Sequence, residues 1–142
     1  MVKRRRTQVL RHLILAVLAT NPQLHGYGIY KRIVYVTQSV WRPSIGTLYR
    51  TLNDMVNEGL ITKNSSDSRR LQYEITSTGL EIFLKETLPH ATKSAGILTE
   101  FLEAYKEIRK RGNLSGLPDE LVERLLRLRK ALEELISSYV AS

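Results

Sequence analysis

Cysteine is absent from the 142 residues. Disulfides, thiolate metal sites and cysteine nucleophiles are therefore excluded together. Histidine is scarce: His12, His25 and His90 stand far apart, with no carboxylates at matching spacing, so neither a metal site nor a cofactor is expected. No apolar run approaches the roughly 18–20 residues that cross a bilayer. The longest, Leu13 to Ala19, follows the basic cluster Lys3-Arg4-Arg5-Arg6 and loosely imitates a signal peptide. Yet Asn21-Pro22-Gln23 is a poor cleavage site and amphipathic sequence continues on both sides, so the expectation is a cytoplasmic protein without a membrane partner. Gly26-Tyr27-Gly28 lacks a third glycine and has no expected strand before it, which argues against a nucleotide loop. No nucleophile, base and oxyanion donors stand in a recognisable arrangement, so the chain does not read as an enzyme.

What the chain does have is positive charge in one half. The net charge is +8; residues 1–75 hold twelve Lys/Arg against four Asp/Glu, whereas residues 76–142 hold ten of each. General solubility would not confine charge this way. A basic half that meets a polyanion and a balanced half that meets protein would. With 42% hydrophobic residues there is enough apolar surface for a core.

Hydrophobic periodicity divides the chain into a few helices and one hairpin. Val9, Leu10, Leu13, Ile14, Val17 and Leu18 recur at three and four, giving a helix from about Thr7 to Ala19 that Asn21-Pro22 stops. A second helix is expected from Tyr27 to Thr37, with Ile29, Ile33 and Val36 inward. Pro43 holds Arg42 extended, and Ser44 is a good N-cap for a third helix from Ile45 to Asn57 that closes at Gly59. On that helix Ile45, Leu48, Leu52, Met55 and Val56 make an inner stripe; Thr47, Arg50 and Asp54 lie opposite, flanked by Ser44 and Thr51. The period then changes to two. Leu60 to Lys63 and Leu71 to Ile75 read as strands around a polar turn, Asn64 to Ser68. The hydroxyls of Thr76-Ser77-Thr78 can cap a helix reaching Leu88, which Pro89 ends or kinks, and another helix should run from His90 to Arg111.

The last helix opens at Pro118-Asp119-Glu120. In it Leu121, Leu125, Leu128, Leu132, Leu135 and Tyr139 step by four, three, four, three and four, nearly three heptads of a pairing seam. The expected organisation is a winged helix-turn-helix domain over 1–88 that includes a basic N-terminal arm, and a helical dimerisation region over 89–142. The fold class is thus mostly α with a small β-hairpin. Packing of the seam on the preceding helix is the alternative to pairing with a second copy.

Helix, helix, turn, helix and hairpin in that order suit duplex DNA. A helix fits the major groove and presents its first residues to base edges, while the helix before it braces on the backbone. Arg50 is the candidate for a bidentate guanine contact, with Ser44, Thr47 and Thr51 near it. Arg42, Lys63, Arg69, Arg70 and the arm residues Lys3, Arg4, Arg5 and Arg6 are candidates for phosphate or the minor groove.

Leu24-His25-Gly26-Tyr27, the run Trp41-Arg42-Pro43-Ser44-Ile45-Gly46-Thr47-Leu48-Tyr49-Arg50-Thr51-Leu52, and Tyr73-Glu74-Ile75-Thr76-Ser77-Thr78-Gly79 together resemble the PadR family of transcriptional regulators. The resemblance covers roughly residues 12–85. It implies a winged helix, a C-terminal helical dimerisation region, a phosphate contact for Tyr49 and usually repression. In two places the chain departs from the family pattern: the wing is short and lacks the usual glycines, and the last 55 residues or so have no aligned counterpart.

The expected function is therefore a homodimeric, sequence-specific DNA-binding regulator, a repressor on an inverted repeat, open to a small-molecule effector. Two alternatives stand beside it. One is an architectural protein that coats DNA regardless of sequence. The other is a protein-interaction module with a vestigial winged domain.

Overall fold

A computed structural model describes residues 2–37, 41–67 and 70–141; the side chains of residues 2–7, 66, 67 and 70 lie outside that description. The helices are α1 (Val2–Thr20), α2 (Gly26–Thr37), α3 (Ile45–Asn57), α4 (Ser77–Lys110) and α5 (Asp119–Ala141). The strands are β1 (Leu24–His25), β2 (Ile61–Asp67) and β3 (Arg70–Ile75), in the antiparallel order β1-β3-β2. The fold class is thus mostly helical with a small sheet, as the periodicities require. The chain divides into two compact units, Met1–Thr92 and Lys93–Ser142, and the division falls inside α4.

The first unit is a three-helix core closed by the sheet. Leu10, Ile14, Leu15, Val17 and Leu18 of α1 meet Ile29 and Ile33 of α2, Leu48, Leu52 and Met55 of α3, and Leu60, Ile61 and Tyr73. Each fully buried aliphatic side chain there contributes about 1.5–3 kcal/mol. Two side-chain contacts fix α1 from outside: the ion pair of Arg11 with Glu58 at the end of α3, and the hydrogen bond between His12 Nε2 and Glu86 Oε1 of α4 at 3.0 Å.

Several expectations change. α1 begins at Val2, so Lys3, Arg4, Arg5 and Arg6, expected as an arm ahead of a helix from about Thr7, belong to the helix itself. Straight-chain arginines and lysine are good helix formers and extend a nucleus already made by the apolar turns behind them. Two residues before α2, Leu24 and His25, pair with Tyr73 and Gln72 as an outer strand, so a strand does precede Gly26. The hairpin is longer than its apolar residues suggest. β2 continues through Asn64 and Ser65 to Asp67, with a register irregularity between Asn64 and Asp67. Asn64 and Ser65 are exposed, so polar residues occupy strand positions there. Pro89 does not end its helix: α4 runs on for 34 residues with the proline inside. That leaves the Lys85 carbonyl without its usual amide partner. Val9, Val36 and Ile45, placed inward by periodicity, are exposed by a third to a half.

The second unit contains the rest of α4 and α5. α4 closes through Gly112 at φ +79°, where Gly112 N–H donates to the Arg109 carbonyl (3.0 Å) and Asn113 N–H to that of Ile108 (3.2 Å). No side chain of α5 is buried.

Candidate nucleic-acid interface

α3 is positioned by both of its ends. Ser44, in extended conformation at the N-cap, accepts from Thr47 N–H at 3.1 Å and donates its hydroxyl to Thr47 Oγ1 at 2.8 Å. At the other end Gly59 takes φ +77°, Gly59 N–H donates to the Val56 carbonyl and Leu60 N–H to that of Met55, both at 3.0 Å. This closure turns the chain directly into β2, with Leu60 packed beneath the helix.

The buried face of α3 carries Leu48, Thr51, Leu52 and Met55. Thr51, expected at the DNA-facing surface, is instead 6% exposed, and its hydroxyl donates to the Thr47 carbonyl at 2.8 Å. Placed three residues after Leu48 and four before Met55, it shares their face, and its short hydroxyl is satisfied inside the helix. The opposite face presents Arg50, Tyr49 and Asn53, with Ser44 exposed and Thr47 half-buried at its start. Arg42 is exposed just before the helix, and Lys63 is exposed on β2. Arg69 lies outside the described residues, as do the side chains of Lys3, Arg4, Arg5, Arg6 and Arg70.

Tyr49 and α2 show what sequence reading passed over. The Tyr49 ring lies across Gly26: a Cβ built on Gly26 would stand 2.6 Å from Tyr49 Cε1, so a larger residue there would displace the ring. Tyr73, 3% exposed, lies close enough to feel it. Burial chiefly, and the Tyr49 phenol second, push the Tyr73 hydroxyl above its ordinary range. Along the exposed side of α2, Lys31 Nζ stands 5.6 Å from the Tyr27 ring and the Arg32 guanidinium 5.5 Å from that of Tyr35. These two cations lie outside any inner stripe. The i, i+4 and i, i+3 spacing to tyrosine was the available signal for them.

The profile of the PadR-like family of transcriptional regulators matches residues 14–85, half of the chain. The protein belongs to that family. The matched stretch runs from the second half of α1 to the start of α4 and takes in most of the three-helix core and the whole sheet. Over 72 residues the chain is 33% identical to the transcriptional regulator YqjI of Escherichia coli K12, covering 51% of this chain and 34% of that protein. The chain thus spans about a third of the length of its curated relatives. A PadR family transcription regulator from Clostridium difficile R20291 superposes with a TM-score of 0.50 at 26% identity, over 66% of this chain and 97% of that one. A transcriptional regulator from Clostridium thermocellum shares the fold with a TM-score of 0.54 at 24% identity, over 65% and 88% of the two chains. Among the described residues, no helix is long and apolar enough to cross a membrane.

Proposed function

We propose that this PadR-like protein reads a specific duplex sequence as a homodimer and represses transcription from it. The observation that carries the reading is the outer face of α3. A helix capped by Ser44 presents Ser44 and Arg50 outward, with Thr47 half-buried beside them, while its own Leu48, Thr51, Leu52 and Met55 hold the other face in the core. Only the first half of the chain is basic, which supports a polyanion as the partner of this unit rather than of the other.

Dimerisation draws its support from the seam on α5. Leu121, Leu125 and Leu128 are half-buried, whereas Leu132 (47%), Leu135 (66%) and Tyr139 (83%) stand open in the single chain. A second copy is the natural cover for a heptad stripe of this kind. Two winged units related by a two-fold axis would address half-sites about 34 Å apart. The division of labour follows: residues 1–88 bind DNA and residues 89–142 pair the chains.

Fluorescence anisotropy tests the reading. The protein is titrated against duplex from its own upstream region and against random duplex at several salt concentrations. Saturable binding about a thousandfold tighter to one duplex is the expected result. Equal, steeply salt-dependent binding to both would replace it with the architectural reading, and no binding to either with the interaction module.

A further inference from the structure

Three glycines of the first unit are demanded by the fold itself. Gly59 takes a positive φ, a Cβ on Gly26 would meet the Tyr49 ring at 2.6 Å, and one on Gly79 would meet the Leu60 carbonyl oxygen at 2.2 Å. Gly46, in the first turn of α3, has no such reason. Its φ is not positive, it is exposed, and a Cβ built on it has no described atom within 4 Å. Glycine is the least favourable helix residue after proline, so almost any other side chain would serve the fold better here.

The place of Gly46 on the helix points to what its bare backbone serves. Leu48, Thr51, Leu52 and Met55 define the buried face of α3. At about 100° per residue, Gly46 lies roughly 170° from the middle of that face and so forms the crown of the outer surface. Arg50 stands one turn further along the same ridge, and both Arg50 and Ser44 are exposed. A partner surface can approach a Cα that bears no Cβ about 1.5 Å more closely than it can approach any other residue. The outermost point of α3 is thus left bare at the end of the helix where groove readers meet base edges. Gly96 of α4 is equally open, but it belongs to the half of the chain whose charges balance.

We propose that Gly46 sets the depth at which α3 enters the major groove and thereby brings Arg50 within reach of its base pair. Gly46 is then a positioning residue for Arg50. The inference deepens the reading of α3 as the base-reading helix and rests on it. A methyl at the crown would hold the helix about 1.5 Å off, more than the spread of about 0.5 Å over which a guanidinium keeps its hydrogen bonds. Phosphate contacts made by long, flexible cations tolerate such a shift, whereas base contacts do not.

Gly46→Ala and Gly46→Leu test this as a steric series, because both replacements are better helix formers than glycine. Both should keep or raise the urea midpoint. Operator affinity, read by anisotropy, should fall about tenfold for alanine and about a hundredfold for leucine, while affinity for random duplex stays within about twofold. Added to Arg50→Ala, the alanine should cost less than about threefold, since the contact it positions is already gone. Full operator affinity in both variants, a lowered urea midpoint beside the loss, or an equal loss on random duplex would each overturn the inference. So would a tenfold loss that persists in the Arg50→Ala background. A native chain that prefers no duplex overturns the operator reading and this inference with it. A native chain that discriminates, beside a Gly46→Ala chain that discriminates equally well, overturns the inference alone.

Discussion

Arg50 and Thr51 are neighbours with opposite fates, and the contrast makes a sharp test of the interface. Arg50 is exposed; Thr51 is buried, with its hydroxyl donating to a main-chain carbonyl one turn back. Arg50→Ala should cost about 1–3 kcal/mol in operator affinity and relax one base position, read by anisotropy against duplexes altered one pair at a time. Thr51→Ser keeps the hydroxyl and should leave DNA affinity within about twofold, while the lost methyl lowers the urea midpoint. An operator loss from Thr51→Ser as large as that from Arg50→Ala would refute the assigned faces. Tyr73 supplies a pH prediction. Its hydroxyl ionises above its ordinary range in the folded chain, so the unfolded chain releases that proton first. The stabilisation is complete below about pH 10, the ordinary tyrosine value, and is lost as pH rises through the raised folded value. Urea midpoints at pH 8 and pH 10.5 should therefore fall less for Tyr73→Phe than for the native chain; equal falls would show that burial of this phenol does not govern alkaline stability.

The junction between the wing and α4 is set by one threonine and one glycine. Thr76 Oγ1 lies 2.7 Å from the Gly59 carbonyl and 3.0 Å from that of Leu60, and it accepts from Gly79 N–H at 3.0 Å. The approach is so close that a Cβ on Gly79 would stand 2.2 Å from the Leu60 carbonyl oxygen. Backbone cannot step aside as a side-chain tip can, so Gly79→Ala should destabilise the fold by more than about 2 kcal/mol. Ser44→Ala, which removes only a cap, should cost about 1 kcal/mol. Urea denaturation of the two variants side by side checks the order, and the reverse order would refute it. Such junctions also mark how far sequence reading reaches. α2, α3 and α5 were legible because periodicity, caps and breakers agreed. β1 was not, because two residues carry no period and their pairing with Tyr73 and Gln72 is long-range. Pro89 misled for a related reason: a local rule about proline met a helix long enough to lose one hydrogen bond. For the candidate site, the exposure of Ser44 and Arg50 was legible from the helical face, whereas the burial of Thr51 was not. The Tyr49–Gly26 seat was not, since only tertiary packing brings those residues together.

At the scale of the molecule the open question is what covers α5. Leu132, Leu135, Ile136, Tyr139 and Val140 are between 47% and 83% exposed. A pair of chains that buried them would remove about ten such side chains from water, each worth roughly 1–2 kcal/mol for the area still exposed. That sum of about 10–20 kcal/mol stands against an association cost of about 4–15 kcal/mol. The apolar gain is of the same order as that cost or larger, which supports pairing along this stripe. Leu132→Glu combined with Leu135→Glu places two carboxylates on the stripe without touching any buried residue. Light scattering should then report monomers, and circular dichroism should show the three-helix core and its melting intact. Operator binding tells the rest. A monomer still carries Arg50 and its capped helix, so single half-sites should bind as they do with the native chain. A full inverted repeat loses the gain from holding two half-sites at once, on the order of a hundredfold or more. A dimer that survives both glutamates would place the pairing surface elsewhere. A monomer that binds the full repeat as tightly as the native chain would separate dimerisation from DNA recognition altogether.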